Sequence, residues 1–128
     1  MRTIILIGIG GLTGAILRYT ISGWAQNSYP RFPLGTLTVN IIGSLLLGLI
    51  MYLSEYSANI STDQRIFLTI GMLGAFTTMS TFSYETFKLF EQKEFYMLLL
   101  NIVGNNLLCF TGIYLGKLIA LRISGVST

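Results

Sequence analysis

The sequence predicts an all-α membrane protein of four transmembrane helices, the third of them broken near its centre. Three observations carry this expectation: the composition, the spacing of the charges, and a run of glycine and hydroxyl residues inside the third apolar stretch. Hydrophobic residues make up 52% of 128 positions and charged residues 10%, whereas soluble domains average about 25% charged residues. So few charges cannot keep a surface dissolved. A helix needs roughly 20 apolar residues to cross about 30 Å of hydrocarbon, and no charge falls between Arg31 and Glu55, between Arg65 and Glu85, or between Glu94 and Lys117.

The first span is expected from Thr3 to Trp24, interrupted only by Arg18. It is long and Gly-rich and runs past Arg18 without a clear small-residue cleavage pattern, so it reads as a retained span rather than a signal peptide. The second is expected from Leu34 to Leu53, the third from Ile66 to Phe90 and the fourth from Phe95 to Leu121. Together they make one domain over residues 1–128. Cys109 is the only cysteine and lies within an apolar span, which excludes an intrachain disulfide framework and reads as helix packing. The formal charge of +3 is spread over loops and ends, so nucleic-acid binding has no footprint. A lipid bilayer is the expected partner.

Orientation follows the excess of Lys and Arg near span ends. With four spans, Arg2, Arg65, Lys117 and Arg122 share one side, and Arg31, Lys88 and Lys93 the other. This near tie instructs the inserting chain weakly, and the expectation is dual topology with an antiparallel homodimer. Small residues recur at the spacing that lets membrane helices approach closely: Gly10 with Gly14, Ser44 with Gly48, Gly71 with Ala75, Gly112 with Gly116. Packing within one chain explains these pairs as well as dimerisation does.

Polar residues inside spans are costly and so are functional candidates, although many only hydrogen-bond between helices. On the second span Thr36, Asn40, Gly43 or Ser44, and Gly48 share a face, and the Asn40 amide offers two donors and an acceptor. On the third, Gly74 is followed by Thr77, Thr78, Ser80, Thr81 and Ser83. Ser and Thr compete for backbone groups and Gly lacks helical preference, so the helix should break there. Irregular backbone at that depth is tolerated only where protein or a cavity covers it. Its carbonyls suit a cation, and its hydroxyls and amides suit an anion. The alternative is an unbroken helix with Ser and Thr bonded back to it. On the fourth span Asn101 and Asn105 form a stripe continuing through Cys109 and Gly112, with Asn106 beside it; it reads as a pathway lining or as packing glue. Arg18 either snorkels to the interface or sits in an aqueous vestibule. Glu85 reads as a helix-end or pairing group.

There is no His, no cysteine pair and no cluster of carboxylates at mid-span, so neither metal hydrolysis nor His-based catalysis is supported. Gly8, Gly10 and Gly11 begin no strand-to-helix unit and do not make a nucleotide loop. Enzyme function is not expected.

Three segments, in order and at four-span length, resemble the Fluc (CrcB) fluoride channels: GLTGAILRY from Gly11 to Tyr19, GTLTVNIIG from Gly35 to Gly43, and GAFTTMSTF from Gly74 to Phe82. The resemblance implies a dual-topology dimer with two pores that exports fluoride passively across the bacterial inner membrane. It implies that Asn40 hydrogen-bonds the ion, that Phe82 lines the pore, and that Ser80, Thr81 and Asn105 join the polar track. Arg18 matches the arginine of the first-span motif. Gly74 and Thr77 would give backbone carbonyls from both subunits to a central structural sodium ion. Met79 departs from the pattern, which has a second phenylalanine there. An aromatic edge carries the positive part of the ring quadrupole and meets an anion favourably; a thioether fills the space without that edge, so conduction should be reduced or altered. The rival readings are a small multidrug-type proton-coupled exporter and a non-transport assembly factor. The exporter needs a carboxylate in the first span, and the first acidic residue here is Glu55.

Overall fold

The structure is a computed structural model describing residues 1–57 and 60–126. It is all-helical among the described residues, with four stretches long and apolar enough to cross a membrane: Arg2–Ser28, Leu34–Tyr56, Thr62–Glu91 and Phe95–Ser124. Each extends the length expected from the charges by a few residues, because helices continue into the interface where charged side chains are solvated.

Helix α1 (Arg2–Ser28) ends where Pro30 and Pro33 prevent continuation, and α2 (Leu34–Tyr56) starts immediately after Pro33. Gln26 closes the turn: its Nε2 donates to the Phe32 carbonyl at 3.0 Å and its Oε1 accepts from the Gly35 N–H at 3.1 Å. The third span opens with α3 (Thr62–Arg65) under a capping box. There the Ser61 hydroxyl accepts from the Gln64 N–H at 3.3 Å, and the Gln64 side chain accepts from the Ser61 N–H at 2.9 Å. Asp63 in that turn meets Arg2 at 2.6 Å.

The third span then winds as π-type turns over Ile66–Leu73 before a single α-turn, α4 (Gly74–Phe76). At Thr77 and Thr78 the backbone is extended (φ −84°, ψ 160° and φ −151°, ψ 118°), and helix resumes as α5 (Met79–Glu91). The expected break is therefore present, whereas the π-type turns were not foreseen. They face α1 where Gly10 and Gly14 leave no room for side chains: a Cβ on Gly10 would lie 2.6 Å from the Phe67 carbonyl oxygen, and one on Gly14 2.0 Å from that of Met72. Helix α6 (Phe95–Ser124) closes on Gly125, whose φ of 67° is the left-handed cap that glycine adopts without strain.

Helices α2 and α6 run parallel and nearly in backbone contact. A Cβ on Gly48 would lie 2.6 Å from the Ile113 oxygen, and one on Gly116 2.4 Å from the Leu45 oxygen. The small-residue pairs of the sequence are thus used within the chain. The buried apolar core is small, centred on Val39, Leu73 and Phe76. Large apolar side chains such as Ile4, Leu12, Trp24 and Phe110 instead point outward, the inverse of a soluble domain and the arrangement a hydrocarbon solvent requires.

Candidate functional site

The break in the third span is held by a residue of the second. Asn40 is buried, its Oδ1 accepts from the Thr78 N–H at 2.9 Å, and its Nδ2 donates to the Thr78 carbonyl at 3.2 Å. One carboxamide thereby satisfies both polar groups of an extended peptide that has no helical partner, as a neighbouring strand would. Because the Thr78 N–H can only donate, Asn40 must present oxygen to it, and the orientation of the amide follows.

That orientation propagates. The second Asn40 N–H points to Asn105 Oδ1 at 3.4 Å, and the Cys109 thiol donates to the same oxygen at 3.3 Å. Asn105 is 6% exposed, and its Nδ2 is buried without a hydrogen-bond partner among the described residues. An unpaired buried donor costs about 1–3 kcal/mol. An acceptor brought to it would remove that cost.

The Asn105 amide borders a cavity of about 380 Å³ at the level of the break. The cavity brings together Asn40 and Ser44 of α2, Gly74 and Thr77 to Met79 at the break, Phe82 of α5, and Asn105, Asn106 and Cys109 of α6, all singled out from the sequence. Met79 is 71% exposed in the single chain, while Phe82 is buried. Ser80 and Thr81 lie elsewhere: their hydroxyls gather on Thr78, whose Oγ1 lies 3.2 Å from Ser80 Oγ, donates to Thr81 Oγ1 at 2.9 Å and accepts from the Thr81 N–H at 3.1 Å. Thr78 is thus the N-cap of α5, and the positive end of that helix begins at mid-span. Arg18 is half-buried, outside this cavity and without an ion pair among the described residues.

The break also releases carbonyls. In a continuous helix the Gly74 oxygen would accept from the Thr78 N–H and the Thr77 oxygen from the Thr81 N–H. Here those donors go to Asn40 and to the Thr78 hydroxyl. Gly74 has only the Thr69 oxygen, 3.6 Å away, within 4 Å of where a Cβ would stand. Two freed carbonyl oxygens beside an open glycine fit a hard cation.

Sequence reasoning singled out neither Thr78 as the anchored peptide nor the partner of Asn101. Asn101 is fully buried and its Nδ2 donates to the Thr86 hydroxyl at 2.9 Å, tying α6 to α5. Asn106 is exposed and bonds back to the Ile102 carbonyl at 2.7 Å. Glu85 forms no ion pair among the described residues; it borders a second cavity of about 280 Å³ with Arg31 and Lys88. The helical spacing of Asn101 and Asn105 was visible, but no periodicity reports which side chain lies opposite.

Residues 5–117 match the family described as CrcB-like protein, Camphor Resistance (CrcB). The chain is similar to Fluoride-specific ion channel FluC 1 of Methanosarcina acetivorans, with 59% identity over 124 residues covering 97% of this chain and 95% of that protein. Fluoride-specific ion channel FluC 3 of Methanosarcina barkeri is 55% identical over 124 residues, with 97% and 94% covered. A Fluoride-specific ion channel FluC of Geotalea daltonii is 48% identical over 117 residues, with 91% and 94% covered.

Proposed function

We propose, from the premise that this chain belongs to the CrcB family, that it is a fluoride-selective channel whose ion passes the break in the third span between Asn105, Asn40 and the start of α5. The observation that carries this reading is the buried Asn105 N–H that has no acceptor and borders a mid-span cavity. Fluoride is small, tightly hydrated and a strong hydrogen-bond acceptor. A pore for it must replace water with N–H and O–H donors, and a helix N-terminus adds favourable potential for an anion. No covalent bond changes, so the protein is a conductor and not an enzyme.

In this reading Asn40 does two jobs. It holds the Thr78 peptide, and its long 3.4 Å bond to Asn105 is the one an arriving acceptor would replace. Phe82 and Met79 border the ion's route. Ser80, Thr81 and Arg18 are assigned to the same path by family resemblance alone. A second copy, inserted antiparallel, would cover the open side of the cavity and give two pores per dimer. The near tie of flanking charges supports this, as do Gly8 and Gly11, which meet nothing within 4 Å in their own chain. Gly74 and Thr77 of both copies would hold a structural sodium ion, which would pin the two breaks together. The membrane is the plasma membrane, the inner one in a bacterial host, and flux is passive export.

Purified protein in liposomes should release fluoride to a fluoride electrode and retain chloride. Vesicles that stay tight to fluoride, or leak both ions equally, would overturn the reading. Asn105→Ala removes the unpaired donor. Hydrogen bonds to charged groups are worth about 1.5–3 kcal/mol, so flux should fall about tenfold to a hundredfold while the melting temperature of the purified protein holds. Met79→Phe adds an aromatic edge beside the route and should raise flux severalfold; an unchanged rate in the same vesicles would remove the ring argument.

A further inference from the structure

We propose that Cys109 is a modification site inside the conduction path, where a small thiol-directed disulfide reagent caps the sulfur and stops fluoride flux. Cys109 stands one helical turn beyond Asn105 on α6, is half-buried, and borders the same cavity as Asn40 and Asn105. Its thiol is free, and its S–H is spent on Asn105 Oδ1 at 3.3 Å. A thiol at helical spacing is by itself only packing. What lifts it here is the independent state of Asn105, 6% exposed with Nδ2 unpartnered at the cavity wall: it offers a donor to a small polar species, and on the channel reading the route that brings one there brings a reagent to the neighbouring sulfur. The proposal rests on the channel reading and extends it to a second class of ligand, small electrophilic sulfur compounds.

With methyl methanethiosulfonate the step balances without any further reactant. The deprotonated Cys109 Sγ attacks the methylthio sulfur, an S–S bond forms as the bond to the sulfonyl group breaks, methanesulfinate leaves with the electron pair, and the thiol proton goes to water. A dithiol reverses it. The capped side chain has lost its S–H donor and carries a methylthio group into the space beside Asn105, so the ion meets bulk in place of a hydrogen-bonded network. Met79 borders the same cavity, but a thioether has no proton to lose and forms no mixed disulfide, so labelling stops at one group per chain.

The test uses the full chain reconstituted in liposomes, treated with methyl methanethiosulfonate and followed by intact mass and by a fluoride electrode, with Cys109→Ser in parallel. One methylthio group should attach per chain without denaturant, more slowly in saturating fluoride. Flux should fall at least about tenfold, equivalent to ~1.4 kcal/mol on the barrier, and dithiothreitol should restore it. Flux through Cys109→Ser, at whatever level it runs, should ignore the reagent. Labelling that waits for denaturant, or that proceeds natively without loss of flux, overturns the proposal alone. Untreated vesicles that hold their fluoride overturn the channel reading and this proposal with it.

Discussion

Asn40→Ala is expected to reduce fluoride flux by about a hundredfold or more, the largest functional effect of any single change in this chain. The substitution removes no large apolar surface and leaves a helix-compatible residue in α2. What it removes is the partner of both polar groups of the Thr78 peptide. Each group, buried and unpaired, costs about 1–3 kcal/mol, and in hydrocarbon no water is at hand to replace the amide. The nearest relief is for the third span to reclose as a continuous helix, which returns the Thr78 N–H to the Gly74 carbonyl and swings Met79 and everything after it about its axis. Flux in vesicles should then be lost together with the extended break, while helix content measured by far-UV circular dichroism stays level or rises. Asn40→Asp is the informative companion. Its carboxylate can still accept from the Thr78 N–H but, ionised, sets an unpaired charge against two acceptors, the Thr78 carbonyl and Asn105 Oδ1, so it should lose flux and fold no better than Asn40→Ala. Wild-type flux in Asn40→Ala would mean that the break does not depend on this amide.

Gly14→Ala is expected to be the most destabilising small substitution. Its new Cβ would stand 2.0 Å from the Met72 carbonyl oxygen and 2.9 Å from the carbonyl carbon. Both are backbone atoms of the π-type stretch, which cannot rotate aside as a flexible side chain would. Overpacking of a tight core typically costs about 1–3 kcal/mol, and a clash with backbone belongs at or above the upper end. Helix α1 must then part from the third span, and the loss should appear as a lower melting temperature and a smaller folded fraction after extraction. Gly23→Ala is the control. Nothing lies within 4 Å of its Cβ position, and Ala favours a helix over Gly by about 1 kcal/mol, so its stability should hold or rise slightly. Equal melting temperatures for the two variants would refute the close approach of α1 to Met72.

The four spans and the break were legible because both rest on local chemistry. Charge-free stretches report hydrocarbon directly, and Gly74 followed by Thr77 and Thr78 reports a backbone that prefers not to stay helical. The lining of the mid-span cavity was legible only in part. Helical spacing puts Asn101 and Asn105 on one face, yet Asn101 is spent on the Thr86 hydroxyl away from the cavity, while Asn106, about 100° round the helix from Asn105, borders the cavity and bonds to its own helix. Ser80 and Thr81 lie in the right segment, but their hydroxyls are drawn to the Thr78 cap. The pairing of Asn40 with residue 78 joins two spans across 38 positions, and no local pattern announces such a partner. The π-type turns over Ile66–Leu73 were equally hidden, since their sequence is an ordinary apolar run and what they pack on lies far off in the chain, the bare faces of Gly10 and Gly14.

The glycine seam between α2 and α6 makes the two asparagines jaws of a caliper whose arms are main chain. Gly48 and Gly116 bring the backbones so near that no side chain lies between them to flex, so the spacing of the two helices that carry Asn40 and Asn105 is set by polypeptide in van der Waals contact. On the proposed reading lateral tension in the membrane, which works on loosely packed side chains first, should leave that gauge almost unmoved.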